Sequence, residues 1–122
     1  MKIAISAMGE TEEAQVDSRF GRCGYFIFYD SETEEFESTV NESQSAGGGA
    51  GVSAAQTVEK HGAKLVLTGN VGPNAARALQ AADIQFVIGV SGTVREAVNR
   101  YKAGESTTVD KPNVEGHFGL QK

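Results

Sequence analysis

The sequence predicts an α/β fold with three layers, α/β/α, built around one mixed five-stranded sheet. In the second half of the chain, short apolar segments alternate with segments of helical periodicity. That alternation is typical of parallel strands joined by right-handed crossovers. In the first half, two strand-like segments flank a short acidic turn, which predicts an antiparallel hairpin at one edge of the sheet.

Length, charge and cysteine content restrict the class of protein. The chain has 122 residues, 39% hydrophobic and 22% charged, as expected for one globular domain, and its net charge of −5 argues against a nucleic-acid surface. The single cysteine cannot form an internal disulfide, which fits a reducing compartment. No apolar segment has the length of a signal peptide or membrane span. We expect one cytoplasmic domain over 1–104 and an irregular tail over 105–122, with no nucleic-acid or membrane partner.

The first half of the chain contains three predicted strands. Isoleucines alternate with smaller neighbours over 2–7, which is typical of a short strand. After a long polar connection, the aromatic-rich segment 25–30 predicts a buried strand. The acidic segment 31–35 is the turn, and 36–40 is the returning strand of the hairpin.

The second half of the chain alternates helices and strands. We predict a helix over 50–61, a strand over 64–68, a helix over 73–82, a strand over 84–88 and a helix over 94–103. Glycines follow the first and third helices, where glycine commonly ends a helix. Thr93 and Glu96 have the spacing of a capping box at the start of the third helix.

The loop before the second strand carries the residues best suited to hold a ligand. Residues 19–24 of this loop comprise two arginines, two glycines, one phenylalanine and the single cysteine of the chain. Arginine supplies fixed positive charge, glycine lets a ligand approach the backbone, and a thiol can bind a soft metal. This composition favours an anionic, metal-containing ligand, held by Arg19, Phe20, Gly21 and Arg22, with Cys23 as a metal ligand.

Three glycine-rich turns precede the three helices, at 47–51, 69–73 and 89–93. Helix N-termini present unpaired N–H groups and the positive end of the helix dipole, which favours anions. Two of the turns directly follow strands and so lie at the carboxyl edge of the sheet, the usual ligand crevice of open α/β sheets. We predict one shared cleft, to which the turns contribute Gly47, Gly48, Gly49, Asn70, Gly72, Asn74, Ser91, Gly92 and Thr93.

Two residues have an alternative to metal binding. Cys23 is either a soft metal ligand or a small buried hydrophobic residue. His117 is either a second metal ligand or a solvent-exposed residue of the tail. The two could also form a nucleophile and base, but the sequence offers no third group to orient the histidine. The segment Gly49-x-Gly51-x-x-Ala54 matches a dinucleotide fingerprint, but it does not directly follow the first strand, and no acidic residue lies about twenty positions later. There is also no P-loop lysine motif.

The chain resembles the nitrogenase iron–molybdenum cofactor biosynthesis family over about residues 1–104. The motifs that carry the resemblance are Ile3-Ala4-Ile5, Arg19-Phe20-Gly21-Arg22-Cys23-Gly24-Tyr25-Phe26, Gly69-Asn70-Val71-Gly72-Pro73-Asn74-Ala75, Ala82-Asp83-Ile84 and Gly92-Thr93-Val94-Arg95-Glu96-Ala97. The family includes small cofactor carriers and the C-terminal domain of the cofactor-building radical enzyme. The resemblance implies a ribonuclease-H-like fold and binding of an anionic metal–sulfur cluster, without hydrolytic activity.

One motif of the chain departs from the family pattern. Members of the family often carry His-Phe-Gly where this chain has Arg19-Phe20-Gly21, so a cation replaces a metal ligand. The chain does contain His117-Phe118-Gly119, but these residues lie in the tail and not in the corresponding loop.

Together, the residues and the resemblance predict a non-enzymatic carrier or scaffold for an iron–sulfur or molybdenum-containing cluster. Arg19 and Arg22 would offset the charge of the cluster, and cluster-assembly or nitrogenase-like proteins would be the partners. The principal alternative is a metal-free regulatory or protein-interaction module of the same fold. A third possibility is an enzyme that acts on a phosphorylated small molecule.

Overall fold

The computed structural model describes residues 1–45 and 49–105 and confirms every predicted strand and helix to within one residue at each end. A short 3-10 helix, Glu42–Ser45, connects the hairpin to the first α-helix. The other elements are β1 (Lys2–Ala7), β2 (Tyr25–Asp30), β3 (Glu35–Val40), α1 (Ala50–Lys60), β4 (Ala63–Leu67), α2 (Pro73–Ala81), β5 (Gln85–Val87) and α3 (Val94–Lys102).

The five strands form one mixed sheet in the order β3-β2-β1-β4-β5. β2 pairs antiparallel with β1 and with β3, whereas β4 pairs parallel with β1 and with β5. It follows that β3 runs in the same direction as β1, β4 and β5. The carboxyl ends of these four strands therefore lie at one edge of the sheet, and the chain reaches all three helices from that edge.

Two apolar cores on opposite faces of the sheet confirm the three-layer prediction. Because successive strand residues point to opposite faces, neighbours within one strand belong to different cores. Helices α1 and α2 pack on one face, over a core that includes Phe20, Phe26, Phe28, Val58, Leu79 and Phe86. Helix α3 packs on the other face, over a core that includes Ile3, Ile5, Ile27, Leu67, Val94 and Val98.

The strand order explains which face each helix covers. The connection from β3 through α1 to β4 and the connection from β4 through α2 to β5 cross the sheet in the same direction. Right-handed crossovers that move in the same direction place their helices on the same face. Helix α3 follows the last strand and covers the face that α1 and α2 leave open.

The helices begin and end at the residues where local sequence signals predict it. Gly62 follows α1 with a φ of 84°, a left-handed conformation that glycine adopts without a steric penalty. Thr93 and Glu96 form the predicted capping box at the start of α3. In the described ranges, no helix is long and apolar enough to cross a membrane.

Candidate anion-binding cleft

A cleft of about 310 Å³ opens on the α1/α2 face, at the carboxyl edge of the sheet. Its walls are the loop before β2, the first turn of α1, and the segment that leads from β4 into α2. The lining residues are Phe20, Gly21, Arg22, Gly49, Ala50, Gly51, Asn70, Gly72, Pro73, Asn74 and Ala75. The structure therefore brings together most of the site residues that the sequence predicts in these segments.

Glycines allow the walls of the cleft to approach each other closely. A Cβ atom on Gly21 would lie 2.9 Å from the Cα and N atoms of Gly51, and a Cβ atom on Gly51 would lie 2.9 Å from the Cβ atom of Ala75. On Gly69, a Cβ atom would lie 2.7 Å from the Cα atom of Ser18. Real Cβ atoms do not approach other atoms this closely, so glycine at these three positions allows the loop and the two helix starts to meet.

Asn41 holds the loop in place from the side of β3. Its buried side-chain amide donates to the carbonyl oxygens of Gly21 (3.1 Å) and Cys23 (2.9 Å). The backbone N–H of Asn41 donates in turn to the carbonyl oxygen of Gly24. The sequence alone does not indicate this role of Asn41, because no local pattern predicts which carbonyl groups a distant asparagine will contact.

Helices α1 and α2 both present their first-turn amides at the cleft. The residues that precede them, Gly49 and Gly72, have no side chain with which to cap those amides. Outside the helices themselves, no described residue accepts a hydrogen bond from the N–H groups of Gly51, Asn74 or Ala75. Two helix N-termini therefore offer donors and partial positive charge to whatever occupies the cleft.

The N-terminus of α3 differs because its own chain already satisfies its amides. The N–H groups of Val94 and Arg95 donate to the carbonyl oxygens of Ala14 (2.9 Å) and Glu12 (2.8 Å). The N–H of Glu96 donates to the hydroxyl of Thr93 at 3.1 Å. This helix start has no first-turn donor left for a ligand.

The third glycine-rich turn therefore does not join the cleft, which corrects the prediction of one cleft shared by three turns. Ser91, Gly92 and Thr93 lie with α3 on the opposite face of the sheet, so they cannot line a cleft between α1 and α2. Their polar groups support the fold instead. The carbonyl oxygen of Gly92 accepts from Val16 at 2.8 Å, and that of Ser91 accepts from Arg100.

Arg19 lies beside the cleft but is paired with an acidic residue that the sequence analysis missed. Its guanidinium makes a two-point ion pair with Asp17, with Nε donating to Oδ1 at 3.1 Å and Nη2 donating to Oδ2 at 3.0 Å. The hydrogen bond and the charge of Asp17 raise the pKa of Arg19. The spacing of Asp17 and Arg19 is compatible with such a pair, but spacing alone does not show that the carboxylate is buried.

Two further cations lie at the cleft or at its rim. Arg22 lines the cleft and is exposed. Arg77, which the sequence analysis did not name, projects from the first turns of α2, and its guanidinium donates to the side-chain oxygen of Asn74. The sequence around Arg77 predicts only a helix. The contact between Asn74 and Arg77 arises once that helix has formed, because residues three apart are then neighbours.

Cys23 faces the core, which favours the alternative of a small buried hydrophobic residue. The side chain is fully buried in the core that α1 and α2 cover, and its thiol donates to the carbonyl oxygen of Phe20 at 3.4 Å. Burial raises the pKa of the Cys23 thiol to about 12, and the charge of Asp17 acts in the same direction. A buried, protonated thiol is a poor metal ligand, because the thiolate is the form that binds metals.

We predict that the Cys23 thiol of the folded protein reacts at least about a hundredfold more slowly with a thiol reagent at pH 8 than the unfolded chain does. Because the folded protein raises this pKa from 9.0 to about 12, it binds the proton more tightly than the unfolded chain does. The contribution of this pKa difference to the free energy of unfolding is fully present below pH 9 and is lost as the pH rises towards 12. The measurement is the reaction rate with and without urea, and the unfolding free energy against pH.

The Cys23→Ala variant is the control for the pH experiment, because it lacks the titrating group. Its unfolding free energy should fall less between pH 9 and 11 than that of the wild type. Equal reaction rates in the folded and unfolded protein would show that the thiol is accessible and would contradict the buried position.

The described residues offer no ready site for a bare metal ion. Within 1–45 and 49–105, no three side chains of histidine, cysteine, aspartate or glutamate are grouped so that they could hold one. Three predicted site residues, Gly47, Gly48 and His117, lie outside the described residues. The described part of the cleft is lined by the backbone of two helix starts, by Arg22 and by uncharged side chains.

The structure is that of a small three-layer α/β protein with a cleft, lined by the starts of two helices, at the carboxyl edge of its sheet. The sequence profile of the dinitrogenase iron-molybdenum cofactor family matches residues 1–104, so the chain belongs to this family and the predicted resemblance is confirmed. Among curated proteins, no significant match is found.

Solved structures support the same assignment. The apo form of the orange protein from Desulfovibrio gigas is 43% identical and superposes with a TM-score of 0.89, over 92% of this chain and 95% of that one. A NifB-like protein from Thermotoga is 30% identical, with a TM-score of 0.82 over 94% and 98% of the two chains. A dinitrogenase-like protein from Methanocaldococcus jannaschii, 17% identical with a TM-score of 0.64 over 92% and 97%, shares the fold.

Proposed function

We propose that this protein is a small carrier that reversibly holds an anionic metal–sulfur cluster, of the iron-molybdenum cofactor type or a precursor of it. The cluster is the cargo and occupies the cleft between α1 and α2. The observation that carries the proposal is the meeting of two uncapped helix N-termini with Arg22 in one cleft. Membership of the dinitrogenase iron-molybdenum cofactor family supports this class of cargo.

The chemistry of the lining fits an anion held by hydrogen bonds and charge. Backbone N–H groups donate to the sulfur atoms of the cargo, and the helix dipoles and Arg22 offset its negative charge. Cys23 takes no part in this proposal because its thiol is buried. Binding without a metal–protein bond is readily reversed, as a carrier requires.

We propose no catalytic role for the cleft. Among its described lining residues there is no carboxylate, histidine, lysine or thiol that could act as base or nucleophile. We further propose a cytoplasmic location and transfer of the cargo to cluster-assembly or nitrogenase-like proteins. The orange protein relative was solved in its apo form, and a protein of this class is expected to exist in empty and loaded forms.

The proposal is tested by anaerobic titration with tetrathiomolybdate or a preformed iron–sulfur cluster, followed by desalting, visible absorbance and metal analysis. We expect up to one equivalent bound per chain, with equal uptake by the wild type and the Cys23→Ala variant. Uptake lost in the variant would show that the thiol is a ligand after all. No uptake by either protein would overturn the proposal and favour the metal-free interaction module.

Inorganic phosphate is the matched control anion, because helix N-termini bind phosphate as well. A ligand that binds only the folded protein raises its melting temperature. The carrier should be stabilised more by tetrathiomolybdate than by phosphate at equal concentration and charge. The reverse order would favour an enzyme that acts on a phosphorylated small molecule.

A further inference from the structure

Asp17 is a buried carboxylate at the carboxyl edge of the sheet, and the proposed binding mode does not use it. Its backbone is held on both sides. The N–H of Asp17 donates to the carbonyl oxygen of Ser6 at 2.9 Å, and the hydroxyl of Ser6 donates to the carbonyl oxygen of Asp17 at 2.6 Å. The Ser6 hydroxyl also contacts that of Thr68 at 2.7 Å. Asp17 is therefore fixed to the end of β1, and Ser6 links it to Thr68, which follows β4.

The carboxylate of Asp17 faces Arg19. The side chain of Asp17 is 5% exposed, whereas that of Arg19 is 63% exposed. Besides the two bonds from the guanidinium, the backbone N–H of Arg19 donates to Oδ1 of Asp17 at 3.0 Å. A charge pair with one buried partner is screened less by salt than a pair at the surface.

Backbone contacts link the Asp17–Arg19 ion pair to the cleft. Arg19 forms a parallel bridge with Asn70, and the N–H of Asn70 donates to the carbonyl oxygen of Ser18 at 2.8 Å. Asn70 lines the cleft, and so does Phe20, the residue after Arg19. Arg19 thus places a positive charge beside the cleft, and the buried Asp17 places a negative charge within 3.1 Å of that guanidinium.

We propose that Asp17 sets the affinity of the cleft by cancelling the charge of Arg19. The cargo is then held by the helix amides and Arg22, without a net contribution from the Asp17–Arg19 pair, and weakly enough to be released to a partner. This inference rests on the proposed function, since it concerns the binding of an anion in the same cleft. Asp17 would thus lower the affinity for the anion through its charge, without contacting the anion.

The test is the dissociation constant of tetrathiomolybdate for the full chain, measured from visible absorbance under anaerobic conditions at low and high salt. Asp17→Asn preserves the shape of the side chain and its Oδ1 acceptor, so the loop should keep its conformation. We expect this variant to bind about five- to tenfold more tightly at low salt, because the charge of Arg19 is no longer cancelled. The gain should disappear near 1 M salt, where charge interactions are screened within a few ångströms.

Two further variants separate charge from direct contact. Arg19→Gln leaves the carboxylate without its partner and should bind the probe about fivefold more weakly. The double variant Asp17→Asn with Arg19→Gln has the same net charge as the wild type and should bind within about twofold of it. If Arg19 instead contacts the anion directly, the double variant should be as weak as Arg19→Gln.

The outcomes distinguish this inference from the proposed function. Wild-type binding that depends on Arg22, but is not tightened by Asp17→Asn, would overturn the inference and leave the carrier standing. No wild-type binding at any salt concentration would overturn both. A melting temperature measured for every variant shows whether a weaker variant is folded.

Discussion

Replacing Gly21 with alanine should destabilise the protein by about 2 kcal/mol and distort the cleft. The added Cβ atom would lie 2.9 Å from the Cα and N atoms of Gly51 and 3.2 Å from the carbonyl carbon of Ala50. These are backbone atoms of the first turn of α1, so they cannot turn aside as a flexible side chain would. The loop must therefore move away from α1. The measurement is the unfolding free energy in urea, together with tetrathiomolybdate affinity.

Gly24 in the same loop provides the matched control. A Cβ atom at this position would meet only the carbonyl oxygen of Ala7, at an ordinary distance of 4.0 Å. Gly24→Ala should leave stability within about 0.5 kcal/mol of the wild type and keep the affinity. Equal effects of the two substitutions would show that the close contact between the loop and α1 does not shape the cleft.

Replacing Arg22 with glutamine should weaken the binding of tetrathiomolybdate about tenfold at low salt. Arg22 is the arginine that lines the cleft, and its exposed side chain adds little to the core. Removing it takes away fixed charge close to the anion and leaves the helix amides in place. The loss should shrink as salt rises. The measurements are a binding titration at two salt concentrations and an unfolding curve.

Lys64→Gln is the control for charge, because it changes the net charge by the same amount. Lys64 is exposed near the start of β4, at the end of the strand opposite the cleft. This variant should keep the affinity of the wild type to within about twofold. An equal loss in both variants would mean that overall charge, and not the position of Arg22, governs binding.

The element order was predictable because each element has its own local signal. Strand β2 is a short aromatic run, which suits a buried strand, and α3 combines an apolar stripe with the Thr93–Glu96 capping box. Gly62 ends α1 in a conformation that favours glycine. Each signal lies within a few residues, so it can be recognised in the sequence without knowledge of the fold.

The position of the third glycine-rich turn was not predictable from such local signals. Turns 69–73 and 89–93 look alike, since each follows a strand and precedes a helix. Their separation depends on the order β3-β2-β1-β4-β5, which places α1 and α2 on one face and leaves α3 to cover the other. The segment that satisfies the amides of α3 comes from residues 12–14, which are far away in sequence.

Burial determines the environment of two side chains, Cys23, for which the sequence leaves two alternatives open, and Asp17, which the sequence does not single out. Cys23 sits in a loop whose composition suggests a ligand site, yet its thiol enters the core beneath the cleft. Asp17 looks like an ordinary loop carboxylate, yet it is buried and paired with Arg19. Both outcomes depend on contacts with distant strands, and neither leaves a trace in local spacing.

The most direct test of the central claim is amide chemical-shift mapping of the labelled protein during an anaerobic titration with tetrathiomolybdate. We expect the largest shifts at Gly21 and Arg22 and at the first-turn amides of α1 and α2, with no comparable change at Val94–Glu96. Shifts concentrated at the start of α3, or spread over the sheet without a centre, would contradict it.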